Sequence, residues 1–162
     1  MQSYTAESYT RSVHRCLDRI RDRVVEELEV IFCQAKGLQA EFLEVVIFPD
    51  GILNELPITL FFKDQFQNPV LGGTFELGNS SGPVLTPDEK EQVYRFDEDG
   101  VETLEIELEV LIEWFSTCWL AANGSDFQLP AYLSLENDLE AFDLKEMKWI
   151  PNPTRIEKEN KP

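Results

Sequence analysis

The chain has 162 residues, of which 14 are basic and 31 acidic, giving a net charge of −17 and a pI near 4.3. That acidic excess excludes the basic footprint of a general nucleic-acid binder and opposes adsorption to an anionic membrane. The length suits one domain of ~100–200 residues, and the 43% hydrophobic and 11% aromatic content can supply a core, which excludes global disorder.

The first predicted element is a long amphipathic helix from about Ala6 to Lys36. Val13, Leu17, Ile20, Val24, Leu28, Ile31 and Ala35 recur at three- and four-residue steps and form one apolar stripe. Lys36-Gly37 is its expected stop. The period then changes. Phe42–Phe48, Ile58–Phe62 and Val70–Leu77 are short β-branched and aromatic runs, predicted to pair as an antiparallel meander. Pro49-Asp50-Gly51 marks a turn after the first run, and Gly72-Gly73 a bulge or close backbone approach in the third.

Gly78–Pro87 reads as a surface loop that ends in a helix start. Thr86 offers the N-cap, Pro87 the first position and Glu89 the third, for a short helix to about Phe96. Val101–Asn123 carries two patterns. Leu104–Val110 alternates like a strand, which makes Glu102–Val110 a strand alternative, while Val101, Leu104, Leu108, Leu111, Phe115, Trp119 and Ala122 form a helical stripe. The Glu and Leu content, the acids before Val101 and the Asn123-Gly124 stop favour one helix. Ala131–Leu135 is a predicted strand, and Leu139–Ile150 is ambiguous, with Phe142, Leu144 and Trp149 as core anchors. The fold expected from these elements is α+β: an antiparallel sheet of three to five strands with two long helices (about 6–36 and 101–123) packed on one face. Residues 1–150 form a single domain in this reading, and residues 151–162 a flexible polar C-terminal tail.

Catalytic and metal motifs fail on inspection. Cys16, Cys33 and Cys118 are too widely spaced for a C-x-x-C pair or a disulfide framework. His14 could pair with Cys16 or Cys118 in a nucleophilic dyad, but Ser116-Thr117-Cys118-Trp119 is not a nucleophile turn, and a buried inert thiol fits better. Aligning Gly100 with the glycine of a calcium loop puts Arg95 and Ile106 where acids belong. Gly72-Gly73 lacks the lysine of a phosphate loop. No catalytic residue, metal or cofactor is therefore expected. The N-terminus shows no apolar run behind a basic start and no stretch approaches a membrane span, so the chain reads as cytoplasmic with reduced thiols.

Charge segregation is the remaining signal. Five of the seven arginines lie within residues 1–23, whereas Asp88–Glu113 carries eleven acids against Lys90 and Arg95, a net of −9. Asp97, Glu98, Asp99, Glu102, Glu105 and Glu109 are the candidate binding residues of an acidic face. The expected function is that of a non-enzymatic interaction protein for a basic protein partner, in its narrower form an inhibitor or immunity-type protein. No nucleic acid or membrane partner is expected, and a homodimer is compatible. The alternative is a small-molecule-binding domain or enzyme with a pocket near the Trp114–Trp119 helix, although aromatics at that spacing more often build core.

Overall fold

The computed structural model describes residues 4–78 and 83–155, which form four helices and a six-stranded mixed sheet in an α+β arrangement. The first segment keeps the expected apolar face but not the expected continuity. All seven residues of its stripe are buried, yet they belong to two helices, α1 (Ala6–Asp18) and α2 (Arg21–Ala35), and the join between them. At the join, the Ile20 N–H turns back to the Leu17 carbonyl at 3.0 Å, a tight three-residue bond. Arg19 reaches the Val84 carbonyl and Glu89, at 2.9 and 2.6 Å, while Arg21 reaches Thr117 at 2.6 Å. Periodicity reports which face is apolar, and it does not register a short break that leaves that face in line.

The three expected strands are β1 (Phe42–Ile47), β2 (Ile58–Lys63) and β3 (Pro69–Glu76), paired antiparallel in sequence order. The register shifts between Phe61↔Thr74 and Lys63↔Pro69, so the extra residues fall within Val70–Gly73, the stretch that holds Gly72-Gly73. Gly72 has φ +71, and a Cβ on Gly73 would stand 2.6 Å from Val70 Cγ2 and 3.1 Å from Phe62 Cβ. The Gly-Gly step thus lies in the irregular part of the β2–β3 ladder, in line with the first of the two alternatives expected of it. Next come α3 (Pro87–Glu98), whose Thr86–Glu89 capping box forms as predicted, and α4 (Thr103–Ala121). Helix prevails over strand at Glu102–Val110.

The sheet corrects the expected fold. It has six strands in the order β3-β2-β1-β4-β5-β6, where β4 is Ala131–Leu135, β5 Glu140–Asp143 and β6 Lys148–Pro151. It is also mixed, because β4 runs parallel to β1. Parallel neighbours need a long crossover, which α3 and α4 supply. Adjacency reasoning pairs strands across short turns and so misses this central pair. The ambiguous Leu139–Ile150 stretch is the β5–β6 hairpin, whose turn is tied by the Asp143 carboxylate accepting from the Lys145 and Glu146 N–H groups. Leu144 is buried and Phe142 half-buried as core anchors, but Trp149 is 50% exposed and leans edge-on against Phe142.

Alternation sets the core. Leu43, Val45 and Ile47 of β1, Ile58, Leu60 and Phe62 of β2, and Ala131 and Leu133 of β4 are buried in one cluster with the apolar faces of the helices. The opposite face of the central strands carries Glu44, 4% exposed, paired with Lys63 at 3.0 Å.

The expected tail begins inside this structure. Pro151 pairs with Glu140, and Asn152 and Thr154 are buried; residues 156–162 lie outside the described residues. The Asn152 amide donates to the Asp138 carbonyl at 3.0 Å and accepts from the Thr154 N–H and hydroxyl at 3.0 and 2.8 Å. Asn152→Ala would orphan buried partners and should cost about 1–3 kcal/mol in denaturant unfolding. A loss below ~0.5 kcal/mol would mean that water replaces these bonds.

Candidate functional site: the acidic turn between two helices

The six candidate acids surround one turn. Asp97 and Glu98 end α3, Asp99 caps its C-terminus, Glu102 caps the start of α4, and Glu105 and Glu109 follow on one face of α4. All six are exposed. Gly100, at φ +83, provides the left-handed step that reverses the chain there. The buried Thr103 hydroxyl donates to Asp97 at 2.5 Å and ties the two helices together.

Among the described residues, none of the six acids has an ion pair. Three of the N-terminal arginines are engaged elsewhere: Arg11 pairs with Glu7 and Arg19 with Glu89, while Arg21 bonds Thr117. Arg95, in the last turn of α3, pairs with Glu91 and bonds Tyr4, and it also feels the charge of Glu98. The crowding has a measurable sign. A hydrogen bond with Glu102 and that group's charge push the Glu105 carboxyl above the ordinary range, with a smaller push from Glu109.

Helix dipoles divide the cluster. Glu102 and Glu105 lie at the N-terminal end of α4, where negative charge is favourable. Asp97, Glu98 and Asp99 lie at the carbonyl end of α3, where it is unfavourable.

A seventh acid of the segment is different in kind. Glu107 is 3% exposed and accepts from the Tyr9 hydroxyl at 2.7 Å and from the Ile52 backbone. Gly51 fits close against it, since a Cβ there would stand 2.8 Å from Glu107 Oε2. The residue joins α4 to α1 and to the β1–β2 loop. Its place among the buried positions Leu111, Trp114 and Cys118, at steps of four, seven and eleven along α4, was the signal that sequence reasoning missed. Burial pushes its carboxyl up, the Tyr9 bond opposes this, and Asp97 adds to the rise. Glu89 goes the other way. Burial raises it, but bonds from Arg19, Thr86 and Cys16 together hold it at about 2.

These two acids predict opposite pH effects. The folded pKa of Glu107 lies above the unfolded ~4.3, so its stabilising contribution is full below that value and is lost as pH rises through the folded pKa. The contribution of Glu89 is present above ~4.3 and lost as pH falls toward about 2. Relative to the parent, Glu107→Gln should therefore gain stability as pH rises above the unfolded ~4.3. Glu89→Gln should lose stability as pH rises from ~2 to ~5. Differences that stay flat with pH would contradict both assignments.

The other candidate chemistry does not assemble. Cys118 is fully buried and Cys16 nearly so, and burial first of all pushes their thiols up to about 11 and about 12. Cys33 is exposed, and no hydrogen bond joins His14 to a thiol among the described residues. No three His, Cys, Asp or Glu side chains there converge to hold a metal ion. Nor is any helix among them long and apolar enough to cross a membrane. Trp114 and Trp119 are core residues, 2% and 0% exposed.

The fold and site thus define an acidic α+β protein with a parallel pair at the centre of its sheet and a carboxylate-rich turn between two helices. Comparisons with protein-family models, curated proteins and solved structures return no match.

Proposed function

We propose that the protein is a non-enzymatic, cytoplasmic interaction protein that docks a basic protein partner on the turn between α3 and α4. Asp97, Glu98, Asp99, Glu102, Glu105 and Glu109 supply the docking charge. The observation that carries this reading is the placement of Asp97, Glu98 and Asp99 at the negative end of α3 without an ion pair among the described residues. There they weaken the fold, and a cationic partner would relieve the cost. The narrower form is an inhibitor or immunity-type protein that occupies the anion-binding site of a basic toxin. Carboxylates displayed on a helix turn can mimic an anionic ligand in such a site.

Zero-length carbodiimide crosslinking in the producing cells tests the reading. Amide crosslinks from this turn to the lysines of one basic protein are expected. Crosslinks spread over the other exposed acids, such as Glu26, Glu29 and Glu76, would show that the turn is ordinary solvated surface.

A further inference from the structure

A cleft of about 670 Å³ opens where the chain leaves α2 and α4, at the opposite end of α4 from the acidic turn. Its size falls within the ~300–1,000 Å³ of small-molecule pockets. One wall is aromatic. The Phe32 and Phe127 rings stand 5.1 Å apart at 33°, and Trp119 meets them nearly edge-on at 4.9 and 5.4 Å. A fully buried tryptophan behind these rings keeps the wall preformed.

Charge narrows the choice of occupant. Glu29 and Asp126 line the cleft against Lys36 alone, and neither acid has an ion pair among the described residues. The C-terminal ends of α2 and α4 also border it, at Ala35–Lys36 and Ala122–Asn123, and both present the negative end of a helix dipole. Aromatic faces add attraction for a cation.

We infer that this cleft binds a small molecule with a flat apolar body and one cationic amine. The body lies against the Phe32–Phe127 wall and the amine toward Glu29 and Asp126. Because the 19-residue α4 separates the cleft from the acidic turn by roughly 28 Å, this site is independent of the partner-docking reading.

Three probes sharing one ring system test the inference by calorimetric titration: 1-naphthylmethylamine, 1-naphthylmethanol and 1-naphthoate. The amine should bind on the order of tenfold tighter than the alcohol, and the carboxylate most weakly. Glu29→Gln with Asp126→Asn should erase the preference for the amine and leave the alcohol unchanged. Both residues are exposed, so this variant keeps the test valid even if Phe127→Ala, expected to weaken all three probes, fails to fold. The inference is overturned if the carboxylate binds as tightly as the amine, if the preference survives the double substitution, or if no probe binds saturably.

Discussion

Trp119→Ala is expected to destabilise the protein by about 3–5 kcal/mol, the range for deleting a large aromatic from a packed core. Trp119 has no exposed surface and contacts Phe32, Phe115 and Phe127, with ring centres 4.9 to 6.3 Å away. It also lies so close to the Gly124 backbone that a Cβ there would overlap the indole. Removing it opens a cavity bounded by α2, α4 and the segment entering β4, three elements that cannot all close in together. Among the described residues its indole N–H has no hydrogen-bond partner, so Trp119→Phe loses volume but no bond and should cost about 1–2 kcal/mol. Denaturant unfolding of both variants measures the difference. Equal and small losses would mean that this corner of the core is loosely packed.

The second large effect concerns the acidic turn. Asp97→Asn, Glu98→Gln and Asp99→Asn together should raise stability by about 1 kcal/mol, since each removes a negative charge from the C-terminal end of α3. The amide oxygen that Asp97→Asn introduces can still accept from the Thr103 hydroxyl, so the tie between the helices survives. The same triple variant should bind a hexa-arginine peptide at least ~10-fold more weakly at low ionic strength. This gap should nearly close at about 0.5 M salt, where screening removes the long-range part. A variant that loses stability would show that the three acids serve the fold. One that binds the peptide like the parent would remove them from the docking face.

Much of the fold was legible because burial imposes a period. The seven-residue stripe of α1 and α2, the β-branched and aromatic runs of β1 and β2 and the Thr86–Glu89 capping box are local patterns, and each formed. The misses are non-local. Nothing near Val45 states that Leu133 will lie parallel beside it, because the crossover through α3 and α4 is a property of the whole chain. In the first half of α4, the Leu-based stripe was displaced around the helix: Leu104 is 42% exposed, while Thr103 and Glu107 are buried. A hydroxyl bonded to Asp97 and a carboxylate bonded to Tyr9 can fill positions that a hydrophobicity count assigns to leucine. The acids of the turn were legible as charge. Their position at the wrong end of α3 required the helix boundary, and their lack of an ion pair among the described residues required the tertiary contacts.

The proposed docking surface for a basic partner runs from Asp97 to Glu109. Amide chemical-shift mapping of the isotope-labelled protein, titrated with hexa-arginine at ~0.15 M salt, tests it most directly. Saturable shifts are expected, concentrated on the segment from Asp97 to Glu109 and lost when Asp97→Asn, Glu98→Gln and Asp99→Asn are combined. Shifts distributed over the acids of α2 and β3, or centred elsewhere on the surface, would contradict it.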